Sequence, residues 1–168
     1  MSDVPAGARP VPVPDERSQP YWDAAAEHVL AIARCSRCDT FSIPPDIVCS
    51  HCHSTEPDFT FVPVSGRGVV RSWTVMHQSF VPGFDDLVPF VLVDVELDAQ
   101  ADLRMIGRLL DGPEMLDGPE MLDGPEMLDG PEMLDGPEPS LAIGAPVVVA
   151  FEDIAPGTSV PAFTLEPR

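Results

Sequence analysis

Four cysteines fall in two pairs, Cys35-Ser36-Arg37-Cys38 and Cys49-Ser50-His51-Cys52, with ten residues between the pairs. Each C-x-x-C can bring two thiolates to one side of a tetrahedron, and two such pairs close a four-sulfur zinc site with no coordination position left open. A closed site is structural. Catalytic zinc needs three protein ligands, a water and a neighbouring acid or base, and nothing beside the four cysteines supplies that set. A redox reading asks for one pair at the start of a helix in a βαβ setting, which this sequence does not offer. Structural zinc on Cys35, Cys38, Cys49 and Cys52 is therefore the expected cofactor. The linker is shorter than usual for a double pair, which predicts a compact, loop-rich ribbon. His51 or His53 could replace a thiolate, but four sulfurs already satisfy the metal, and both histidines are read as loop residues.

Other chemistry is thin. The chain has no G-x-S-x-G elbow, P-loop or H-E-x-x-H. His77 with Asp85 or Asp86 is the one acid and base set a stand-alone enzyme would use, and no motif adds a nucleophile or an oxyanion site. The chain is expected not to be an enzyme on its own. Its net charge is −19 and all nine basic residues are arginine, a balance that opposes polyanion binding. Between residues 34 and 100 four arginines stand against nine acids, whereas single-strand binding calls for a basic groove with exposed aromatics. Nucleic acid is thus the alternative partner and not the favoured one. Arginine grips phosphate bidentately, so Arg67, Arg71, Arg104 and Arg108 are considered for that role. Arg71 and Arg108 are read as solvated cations offsetting the acids, which leaves Arg67 as the candidate.

The elements that must position these groups follow from local composition. Residues 1–19 alternate proline with small and charged residues and read as an extended, solvated, disordered tail. Over 20–34, Pro20 suits a first helical turn and Tyr21, Trp22, Ala25, Ala26 and Val29 recur at helical spacing. The following HVLAIAR can either prolong the helix or lead into the ribbon as a strand. The zinc ribbon takes 35–58. Residues 59–168 are strand-rich: 59–77 reads as strand, tight turn at Ser65-Gly66-Arg67-Gly68, and long strand, followed by strands at 89–97, 103–110, 145–153 and 160–165. Trp73 alternates with Arg71 and Val75 on one face of the long strand, a packing position, and His77 ends that strand. The hexad LDGPEM recurs through 110–139. Its period matches no helical turn and Gly-Pro interrupts both helix and strand, so it reads as a loop lengthened by tandem duplication, the alternative being a partner-binding acidic tract in which leucine and methionine recur among the acids. The amino terminus lacks a secretory h-region, and no stretch approaches the roughly 20 apolar residues of a membrane span. The cytoplasm is the expected address, where cysteines serve as metal ligands more often than as disulfides.

Several of these motifs in order resemble a known family. Pro20-Tyr21-Trp22, Arg34-Cys35-x-x-Cys38, Pro44-Pro45 and Cys49-x-x-Cys52 are followed by Val64-Ser65-Gly66-Arg67-Gly68, Ser72-Trp73-Thr74-Val75 and His77. Ile143-Gly144-x-Pro146-Val147 and Phe151-Glu152-Asp153 complete the series. The combination resembles the zinc-ribbon/OB-fold proteins that accompany thiolases, over roughly residues 20–165 apart from the hexads. The resemblance implies a mainly β fold: an N-terminal helix, a rubredoxin-like zinc ribbon, then a five-stranded OB-fold barrel. It implies a non-catalytic subunit of an acyl-CoA complex, whose partner is a thiolase-superfamily enzyme, a hydroxymethylglutaryl-CoA synthase, or a lipid-transfer-protein-like aldolase of steroid side chains. Arg67, Trp73 and His77 are the candidate contacts to acyl-CoA or partner. Two departures stand out: Asp39 occupies a position where the family usually has glycine, and Asp46 one where a basic residue is common.

Overall fold

The computed structural model describes residues 9–113 and 141–166. Most of the hexad tract therefore lies outside the described residues. The chain begins with helix α1 (Gln19–Ala26), continues through a small sheet of β1 (Ala31–Cys35), β2 (Phe41–Ser42) and β3 (Phe59–Pro63), and ends in a barrel. The barrel strands are β4 (Arg67–Met76), β5 (Phe90–Leu97), β6 (Arg104–Leu109), β7 (Pro146–Ala155) and β8 (Thr158–Leu165).

The ambiguous stretch after the helix resolves as a strand. His28 takes a left-handed conformation (φ 58°) that ends the helix, and its ring stacks on Phe151 at 5.3 Å. Both faces of the next strand are then covered: Leu30 and Ile32 enter the main core, and Ala31 and Ala33 are equally buried. The small sheet is antiparallel in the order β2-β1-β3, with Ala33 opposite Ser42 and Cys35 opposite Phe59. Residues 59–63, assigned from sequence to the barrel, pair instead with β1. Their composition marks a strand but carries nothing about its neighbour.

The barrel closes in the order β4-β5-β6-β8-β7. Val91, Val93 and Val95 alternate inward along β5 and meet Val70, Leu109, Val147 and Phe163, all completely buried, the period-two burial of a strand with one wet face. At Gly66 (φ 69°) an added Cβ would lie 2.1 Å from Val149 Cγ1, so the turn into β4 requires glycine on both conformational and steric grounds. Ribbon and barrel are joined through a side chain: Gln100 Oε1 accepts from the Phe41 amide at 2.7 Å, and Gln100 Nε2 donates to the Phe41 carbonyl at 3.3 Å.

The described part of the N-terminal segment is not a free tail. Arg9 donates to Glu152 Oε1 at 3.1 Å and lies over the Phe84 ring at 5.1 Å. Further on, Asp15 and Ser18 exchange bonds, with the Ser18 amide donating to Asp15 Oδ1 at 2.8 Å and the Asp15 amide donating to Ser18 Oγ at 3.0 Å. The extended, proline-rich composition is as expected, but a partner on β7 holds the segment to the barrel.

Candidate functional site

The four cysteines converge. Their sulfurs all lie within 4.8 Å of one another, and Cys35–Cys52 and Cys38–Cys49 are separated by 3.9 and 3.7 Å. A tetrahedron with metal–sulfur bonds of about 2.3 Å has edges of about 3.8 Å, so the donor set fits a tetrahedral tetrathiolate ion. The distances are far too long for disulfides, and the thiols are free.

Two knuckles of the same construction present these sulfurs. In the first, the Cys35 amide donates to the Thr40 carbonyl at 3.0 Å and the Asp39 amide to the Cys35 carbonyl at 2.9 Å; in the second, Cys49 to Ser54 and His53 to Cys49 repeat both bonds at 3.0 and 2.9 Å. The residue four after the leading cysteine is left-handed in each, φ 58° at Asp39 and at His53. This explains why glycine is expected at position 39 and why aspartate is tolerated, since Asp enters that region more readily than most residues. It also gives His53 a backbone role and not a ligand role.

The thiols differ in acidity. Hydrogen bonds from the Thr40 hydroxyl and amide bring Cys38 down to about 5. At Cys52 the Ser54 amide pulls downward, but burial and the three neighbouring cysteines outweigh it and push the thiol up to about 11. Without a cation the cluster cannot hold four thiolates; a divalent ion is what makes that state favourable.

Arg67, Trp73 and His77 do not converge. They lie along β4 and its end, and six residues of strand put Arg67 and Trp73 about 20 Å apart. Arg67 is engaged with Glu166 at 3.2 Å. The sequence reading of Trp73 needs correction. A bulge between Val70 and Ser72 shifts the alternation, so Trp73 and Val75 pair across from buried Val93 and Val91, while Arg71 turns outward to Glu96 at 3.3 Å. Trp73 thus has inward register, yet it is 37% exposed because β7 accompanies β4 only through Arg67–Val69. His77 is exposed, and no hydrogen bond or ion pair joins it to Asp85 or Asp86. Sequence reasoning missed the fate of the other arginines: Arg9 and Arg108 converge on Glu152, Arg104 pairs with Asp94, and Arg34 lies 3.7 Å from Asp39. The partners are distant in sequence, and only the barrel register brings them together.

A four-cysteine ribbon joined to a closed five-stranded OB-like barrel defines the class of protein. Family models agree in both parts: "ChsH2, rubredoxin-like zinc ribbon domain" matches residues 22–58 and "ChsH2, C-terminal OB-fold domain" matches 61–117, together more than half of the chain. The chain belongs to the ChsH2 family. It is similar to a solved chain described as "Ltp2-ChsH2(DUF35) aldolase", at 26% identity and a TM-score of 0.64, covering 92% of this chain and 98% of that one. It is also 36% identical over 93 residues to a Thermomonospora curvata protein described as "Probable enoyl-CoA hydratase alpha subunit", covering 55% of this chain and 28% of that protein. The chain therefore spans little more than a quarter of that relative. Among the described residues no helix is long and apolar enough to cross a membrane.

Proposed function

We propose that this chain is the non-catalytic accessory subunit of an acyl-CoA complex, binding a thiolase-superfamily enzyme of the aldolase type and helping to form its acyl-CoA site in the cytoplasm. The observation that carries the reading is the near end-to-end correspondence with the solved aldolase-complex chain, 92% of one and 98% of the other. Cys35, Cys38, Cys49 and Cys52 hold one structural zinc, whose binding energy organises the loop-rich residues 36–58. Trp73 and His77, exposed on the half of β4 that β7 leaves uncovered, are the contacts to the partner; Arg67, with a carboxylate already at hand, is the weaker of the three candidates.

Co-purification from the native host at moderate salt tests the proposal. A stoichiometric thiolase-like protein identified by mass spectrometry is the expected result, with His77→Ala, at an exposed strand end, reducing its recovery at unchanged melting temperature. Recovery of the chain alone, or with nucleic acid, overturns it.

A further inference from the structure

Between α1 and the ribbon sheet lies a cavity of about 310 Å³. Tyr21, Trp22, Ile32, Ile43, Pro44 and Phe61 form most of its wall. Its floor is made of core residues, with Ile32 and Ala33 each 1% exposed, so it penetrates to the sheet and is not a surface dimple. It falls at the small end of ordinary ligand cavities. Apolar cavities with few polar partners stay dry and take up apolar molecules.

The polar inventory narrows the ligand. Ser18 lines the cavity, but its hydroxyl is engaged with Asp15, as is its amide. The Tyr21 hydroxyl has no hydrogen-bond partner among the described residues, and burial pushes its phenol up to about 12, so it is a neutral donor throughout the physiological range. No arginine lines the cavity, and the Asp15 carboxylate stands beside its Ser18 edge. An anionic head group would meet repulsion and no counter-charge.

We propose that this cavity is a binding site for a neutral hydrocarbon ligand carrying one acceptor oxygen, an alcohol or carbonyl compound, whose oxygen accepts from Tyr21 Oη while its apolar end packs on Trp22 and Phe61. The site belongs to this chain alone and does not rest on the partner reading.

The probe is 1-octanol, with octanoate as its charged counterpart, added to full-length zinc-loaded protein carrying Trp73→Phe. The sequence has two tryptophans, so emission then reports Trp22. Saturable change with octanol is expected, with octanoate at least tenfold weaker. Tyr21→Phe should weaken octanol about fivefold, the size of one neutral hydrogen bond. Ser42→Leu, at a half-exposed position on β2 that lines the cavity, should abolish saturation while the far-UV spectrum stays unchanged. A linear, non-saturating response, equal response to octanoate, or no effect of either substitution overturns the proposal. Loss of partner capture in Ser42→Leu made with Trp73 intact, without octanol saturation in the Trp73→Phe protein, also overturns it, assigning the cavity to a partner's side chain.

Discussion

Replacing Glu152 with glutamine keeps the side-chain shape and removes the carboxylate that two guanidiniums share. Arg9 donates to Oε1 at 3.1 Å, Arg108 Nε donates to Oε2 at 2.9 Å, and Arg108 donates a second bond to Oε1. The three side chains are only 20%, 21% and 13% exposed for Arg9, Arg108 and Glu152, so screening removes little of the interaction. Hydrogen bonds to charged groups contribute about 1.5–3 kcal/mol each. Glutamine retains one acceptor and the guanidiniums partly rehydrate, which sets the expected net loss at about 2 kcal/mol. For a chain of this size that corresponds to a melting temperature lower by about 4–8 °C. Arg9→Ala, which removes one charged bond and the contact with Phe84, should cost about 2 kcal/mol. The pH dependence supplies a second check. Burial raises the Glu152 pKa, but the Arg108 and Arg9 bonds outweigh it and hold the group below its usual 4.5. A depressed carboxylate stabilises fully above 4.5 and loses that contribution as pH falls through the folded value. The gap between parent and Glu152→Gln should therefore be constant near neutrality and close on acidification below 4.5. Thermal melts across pH, with limited proteolysis of the N-terminal segment, measure both. A melting temperature within 1 °C of the parent at pH 7, with no coupling between Arg9→Ala and Glu152→Gln in a double-mutant cycle, would refute the docked segment.

Metal analysis should find one zinc per chain, lost in Cys49→Ser; hydrogen exchange should then show residues 36–58 unprotected while β4–β8 keep their protection, because β1 and the barrel share a core that needs no metal. Absorbance at 295 nm should titrate the single tyrosine near 12 instead of 10; the stability from keeping this phenol neutral is complete below pH 10 and disappears as pH rises through 12, and a midpoint near 10 would contradict the burial of Tyr21. Gly107→Ala places a Cβ 2.8 Å from the ring of fully buried Phe163, and chemical denaturation should register a loss of about 1–3 kcal/mol from overpacking.

What could be read from sequence and what could not divides along sequence separation. The cysteine cluster was legible because ligand type and spacing specify a tetrahedral site within 18 residues. The barrel strands were legible because β4, β5 and β7 are valine-rich and β6 and β8 are short, largely apolar runs, each bounded by turn residues. The docking of Arg9 was not, since its partner lies 143 residues away and a proline-rich composition looks the same whether or not a carboxylate waits for it. Trp73 shows a subtler failure: strict alternation keeps Val75 on its face correctly but adds Arg71 wrongly, because one bulged residue shifts the register between Val70 and Ser72. The strand at 59–63 was visible as a strand, but its place beside β1 depends on ribbon geometry that local propensity does not encode.

The arginine pairs bear on the division of labour in the proposed complex. CoA carries phosphates, and a subunit that grips them needs cations free to do so. Here Arg9, Arg34, Arg67, Arg71, Arg104 and Arg108 all face carboxylates of the same chain, within a protein of net charge −19. Among the described residues Arg17 and Arg37 pair with no carboxylate, so we propose only that these six arginines leave the CoA phosphates to other groups of the complex. Arg67→Ala decides the matter for the strongest of the phosphate candidates. Arg67 is mostly exposed and its pair with Glu166 is a surface contact, so the substitution should leave the melting temperature nearly unchanged. Measured by calorimetry on the assembled complex, affinity for CoA should stay within about twofold of the parent. A tenfold loss at unchanged stability would show that Arg67 abandons Glu166 for a phosphate, and would move part of the CoA site onto this subunit.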